Sequence, residues 1–226
     1  MHGSIFATLL TRLPKPLKAL AIRFDRSPID NVEALTEFVR TRSSYVAQTS
    51  LYGYLKTRMG TQFRVYFEDE VFSASIRGAA VRLFVSCLGD LTVYAVAISG
   101  RGSELAASEA AALARHCFTL GMQRALADVS KETIPANAIL HFARRSAEVH
   151  WAGAAEGAAA FAGSQEDIIR FAPVIEEFKE LDREIVSNSI RFRWRDIREQ
   201  LRKRIDAEGI CDDWRSLGAE AAAPET

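Results

Sequence analysis

Apolar residues along this chain recur at steps of three and four, the spacing that sets side chains on one face of an α-helix. The stretch from Asp30 to Gly60 predicts one long helix over 31–59, around which the rest of the chain is expected to pack. Phe38, Tyr45, Tyr52 and Met59 form one row in it, with Val32, Val39, Val46 and Gly53 beside them. Asp30 is placed to cap the first turn, Glu33 completes a capping box, and Gly60 suits a left-handed C-terminal cap. A glycine inside a helix costs about 1 kcal/mol relative to alanine, so Gly53 predicts close helix packing at that point. Arg40, Arg42, Lys56 and Arg58 read as a solvated face.

Beyond Gly60 the same period continues from Phe67 to Ser99, through Phe72, Ile76, Ala80, Phe84, Leu88, Leu91, Ala95 and Ile98. Leu91–Ser99 is rich in β-branched residues and leaves a buried strand open as an alternative. After the turn Ser99–Ser103, Ser103 is expected to cap an alanine-rich helix to about Ala127. A further helix is expected from Pro135 to about Phe161, its second half dense in glycine and alanine. Ser164 with Asp167 resembles another cap, and helical periodicity then reaches Ile205 with a break expected at Pro173. The fold class is therefore all-α, a single domain of about five long helices over 27–215. Residues 216–226 have little to bury and are expected to be disordered.

Residues 1–26 form a separate arm, with Arg12, Lys15, Lys18, Arg23 and Arg26 against Asp25 alone. Pro14 and Pro16 divide it into two short amphipathic pieces, as expected of an arm that packs on the chain's own core, on a partner or on an anionic membrane surface. Its longest uncharged run, Met1–Thr11, has no basic residues before it and is too short to span a bilayer, so neither a secretory signal nor a transmembrane helix is expected in the arm. The formal net charge of the chain is zero, which argues against generic polyanion binding. Cys87, Cys117 and Cys211 are widely separated and in no CxxC pair, consistent with a reducing, cytoplasmic compartment.

Chemistry-bearing patterns are sparse. No GxSxG elbow, SxxK, HExxH, GxGxxG or phosphate-binding loop occurs, and no metal or cofactor is implied. His116, His141 and His150 lack metal-ligand spacing. Glu68, Asp69 and Glu70 fit the opening turn of a helix better than an acid pair. The most basic segment is Ser189–Ile205, with Arg191, Arg193, Arg195, Arg198 and Arg202. There Ile190, Trp194, Ile197, Leu201 and Ile205 make a buried stripe, while Phe192, Arg195, Glu199 and Arg202 lie on another side. Acids upstream, Glu176, Glu177, Glu180 and Glu184, offer partners for those arginines. A solvated or partner-facing surface is thus preferred over phosphate or lipid headgroups, and nucleic acid is disfavoured.

The segment RSSYVAQTSLYGYLKTRMG, Arg42–Gly60, followed by FEDEVF and CLGDLTVYAVA, resembles a widespread uncharacterised proteobacterial family sometimes labelled esterase. That resemblance covers most of the chain apart from its two ends. It implies ester hydrolysis but carries no catalytic residues onto this sequence, where Ser44, Ser50 and Ser99 are the serines to consider. The reading the residues favour is a non-enzymatic helical interaction or assembly protein of the bacterial cytoplasm. It would bind an unidentified protein or itself through the arginine-rich helix and its arm, which also suits an anionic membrane face; an esterase-like hydrolase is the alternative.

Overall fold

The computed structural model describes residues 26–62, 68–101, 105–157 and 159–222. These residues form eight α-helices and no strand: α1 (Val32–Met59), α2 (Glu70–Ser99), α3 (Ala107–Ala125), α4 (Ala138–Ala147), α5 (Trp151–Ala154), α6 (Ala162–Phe171), α7 (Glu176–Arg204) and α8 (Ala207–Ala222). Five of these are long, as the periodicity predicts. The arm residues Arg12, Lys15, Lys18 and Arg23, and the expected cap Ser103, lie outside the described residues.

Helix α1 matches the predicted span, but its start is built differently. Asn31, not Asp30, is the N-cap, its side-chain oxygen accepting the Ala34 N–H at 2.8 Å. The Val32 N–H donates instead to the Asp213 carboxylate of α8 at 2.8 Å. Glu33 pairs with Arg124 of α3 rather than closing a capping box. Gly60 ends the helix at φ 53°, a conformation that favours glycine. Arg42, expected in solvent, is buried: it lies against the Phe38 ring and donates to Gln200 Oε1 at 2.9 Å.

Helix α2 is the more fully enclosed of the two central helices. Its N-cap Asp69 accepts the Phe72 N–H at 2.8 Å and Glu70 lies in the first turn, which accounts for the acidic run. Every residue from 87 to 99 is buried, because α1, α3, α6 and α8 all pack on it. The strand alternative for Leu91–Ser99 is therefore overturned. Side chains covered on all sides carry no one-faced pattern, and β-branched residues are accommodated by packing despite their weaker helix propensity. The helix is long and apolar enough to cross a membrane by length and composition, but most of that apolar stretch is buried inside the domain.

Two expectations about glycine are corrected. Gly53 is exposed, and a side-chain carbon there would meet only the Arg193 guanidinium, at 3.7 Å. Closely packed glycines lie elsewhere, among them Gly121 of α3, where such a carbon would lie 3.2 Å from a Leu88 methyl and 3.7 Å from Arg40 Cβ. The helix expected from Pro135 to Phe161 is broken at Glu148–His150 and again at Gly157, whose φ of 93° ends the helical path. A side chain at Gly157 would also strike the Arg198 guanidinium at 2.6 Å.

The break at Pro173 is present, separating α6 from α7. Residues 216–222, expected to be disordered, continue α8 as helix. That helix is held where it starts: Ile29 and Ile205 form a parallel bridge, with Ile29 N donating to Arg204 O and Asp206 N to Ile29 O at 2.9 and 2.8 Å.

Candidate interaction surface

Helix α7 has 29 residues and two apolar faces. Val186, Ile190, Trp194, Ile197 and Leu201 are buried against the domain, as the spacing predicts. At 100° per residue, Phe178, Leu181, Ile185 and Phe192 fall on the opposite side of the same helix. They are exposed by 40%, 75%, 70% and 57%, with Ile175 just before the helix at 59%. Single exposed apolar residues are ordinary; these four share one face, interrupted between Ile185 and Phe192 by Asn188 and Ser189.

The five arginines singled out from the sequence divide between the two sides. Arg193 and Arg198 turn inward: Arg193 donates to Thr49 O of α1 at 3.4 Å, and Arg198 lies by the Phe161 ring beneath Gly157. Arg191, Arg195 and Arg202 are exposed. Arg191 donates to Asn188 and Gln165, Arg195 covers the Phe192 ring at 4.5 Å, and Arg202 stands over Tyr94. Five of the seven acids of α7 sit in its first half, with Asp196 and Glu199 in the second. Glu176 pairs with Lys179 and Glu180 with Arg183, while Asp182 takes both nitrogens of an Arg58 fork from α1. The Arg58 guanidinium holds the Asp182 carboxyl below its ordinary range and also lies over the Phe178 ring. Glu177 and Glu184 form no ion pair among the described residues.

Beneath this surface lies a buried polar node. Phe161, at the N-cap of α6, has no side-chain oxygen, and the Ser164 N–H it leaves open donates to Asp90 Oδ2 of α2 at 2.7 Å. Ser164 is thus inside α6, not the cap expected of it. Asp90 pairs with Arg145 of α4 at 2.8 Å, and Trp194 Nε1 of α7 donates to Ser164 Oγ at 3.0 Å. Burial pushes the Asp90 carboxyl up, opposed by the Arg145 charge and the Ser164 N–H. With Ser164 fully buried and its hydroxyl engaged by Trp194 and the Phe161 carbonyl, the node orients helices and offers no nucleophile.

A cleft of about 560 Å³ lies between α1, α2 and the end of α3, lined among others by Ser44, Gln48, Arg77, Phe84, Asp128 and Thr133. Of the serines considered for hydrolysis only Ser44 reaches it, and no histidine lines it. Ser50 and Ser99 are buried, and Ser99 Oγ donates to the Ala95 carbonyl of its own helix. Histidines serve elsewhere: His116 packs on the Trp214 ring, and His150 Nδ1 accepts the Gly153 N–H to cap α5. Among the described residues no group of His, Cys, Asp and Glu is placed to hold a metal ion.

The outward row of α7 is carried by the 178, 181, 185, 192 spacing, which sequence reasoning missed because the charged residues Lys179, Glu180, Asp182, Arg183, Glu184 and Arg191 lie between its members. Comparison with protein-family models, curated proteins and solved structures gives no match to this chain.

Proposed function

We propose that this chain is a non-enzymatic helical assembly protein of the bacterial cytoplasm, acting through the outward face of α7. The observation that carries this reading is the row Phe178, Leu181, Ile185 and Phe192, left exposed on a helix that buries its opposite face in the core only from Val186 onward. Burying such a row is worth roughly 1.5–3 kcal/mol per large side chain, enough to hold a partner once a few are covered. Three buried cysteines, none of them in a disulfide, fit a reducing compartment.

The test is the size of the chain in a native extract at its natural abundance. A complex larger than the monomer, lost when Leu181→Glu and Ile185→Glu are combined, supports the reading. Migration at monomer size refutes it. A second contact is favoured by the arm: nine large apolar residues from Ile5 to Phe24, with five basic residues and one acid across 1–26, match segments that lie on anionic lipid.

A further inference from the structure

We infer that the occupant of the outward α7 face is a second copy of this chain, paired antiparallel across a two-fold axis. The inference rests on the assembly reading and specifies its partner.

Phe178, Ile185 and Phe192 recur every seven residues, and Leu181 starts a second row continued by Asn188 and Arg195. Apolar rows offset by three or four with a seven-residue repeat are the seam of a paired helix; here the first row is apolar throughout and the second is apolar at Leu181 alone. The two halves of the helix carry opposite charge. Residues 176–190 hold Glu176, Glu177, Glu180, Asp182 and Glu184 against Lys179 and Arg183. Residues 191–204 hold Arg191, Arg193, Arg195, Arg198, Arg202, Lys203 and Arg204 against Asp196 and Glu199. A parallel copy would set acid on acid and base on base. An antiparallel copy sets each acidic half on a basic half, and a two-fold axis does so twice.

The register follows from the rows. Pairing Leu181 with Phe192 of the second copy places Ile185 opposite Asn188 and brings Glu184, which has no ion-pair partner in its own chain among the described residues, beside Arg191 of the second copy. A polar residue at one seam position fixes alignment at some cost in stability, a role Asn188 is placed to take. The competing occupants fit less well. The arm of the same chain has five basic residues and one acid, so it complements only the acidic half. A polyanion would be repelled by that half.

The test uses the full purified chain, with sedimentation measured over a wide concentration range and helicity by circular dichroism to confirm folding. The expected result is a reversible dimer that Ile185→Asp weakens roughly 30-fold or more. Leu181→Lys should act in the same direction. Glu184→Arg and Arg191→Glu should each weaken it, and the two together should restore it, because both symmetric pairs are then rebuilt with reversed charge. A monomer at every concentration, indifference to Ile185→Asp, or a double variant no better than the single ones would overturn the inference. A purified monomer alongside a larger complex in extract would overturn the second copy while leaving the assembly reading standing. A monomer in both would sink the two together.

Discussion

Asp90 of α2 caps α6 from 74 residues away, its carboxylate accepting the Ser164 N–H at 2.7 Å where the local sequence supplies only Phe161. Gly163 permits the approach, since a side-chain carbon there would sit 3.0 Å from Asp90 Oδ1. Asp90→Ala should therefore cost about 2–4 kcal/mol, leaving a buried N–H and the Arg145 charge without their partner. Chemical denaturation checks this.

Arg145→Met should be worse at neutral pH, costing about 3–5 kcal/mol, because it strands a buried carboxylate. Its pH dependence has a definite sign. Burial raises the Asp90 pKa in the folded chain, so folding is favoured with Asp90 protonated, and that contribution is lost as pH rises through the folded value. Removing Arg145 raises the folded value further. The deficit of the variant should shrink on acidification toward the ordinary aspartate pKa; a deficit constant with pH would mean that Asp90 does not titrate in that range.

Glycine substitutions separate the two helix surfaces. Gly53→Ala should stabilise by about 0.5–1 kcal/mol, since a methyl there gains helix propensity and meets only a guanidinium. Gly121→Leu should destabilise by about 1–3 kcal/mol by overpacking against Leu88 and Arg40. Thermal melts of the two variants should move in opposite directions.

Deleting residues 1–26 should leave thermal stability nearly intact. Ser27 is kept, and with it the bond from Arg204 Nε to the Ser27 carbonyl. The shortened chain should lose co-sedimentation with anionic vesicles, an attachment that should also weaken with salt. A large fall in melting temperature would show the arm to be part of the core.

A fluorophosphonate probe should leave the chain unlabelled. Ser50, Ser99 and Ser164 are buried, and Ser44, though it lines the cleft, has no histidine beside it there. Stoichiometric labelling at Ser44 would favour the hydrolase.

What could be read in advance was what is local in sequence. Gly60 and Pro173 punctuate the chain wherever it folds, and the buried stripe Ile190, Trp194, Ile197 and Leu201 follows from spacing alone. The hub role of α2 was hidden because a helix covered on every side shows no polar face. The node was hidden because nothing near Asp90 announces Ser164, Arg145 or Trp194. Gly53 misled for a related reason: composition shows that a side chain is missing, but not whether a neighbouring helix fills the space.

The clamp that joins Ile29 to Ile205 and Asp206, and Val32 to Asp213, bears on how the protein is made. Synthesis delivers α1 early, yet the carboxylate that receives its first N–H is 181 residues downstream. Contacts of such long sequence separation slow folding and leave apolar surface open meanwhile. While the ribosome is still translating, the nascent chain cannot close α1 at its leading end. Until α8 has emerged, the Val32 N–H at that end lacks its carboxylate, although α2 and α3 can already cover most of the apolar stripe of α1.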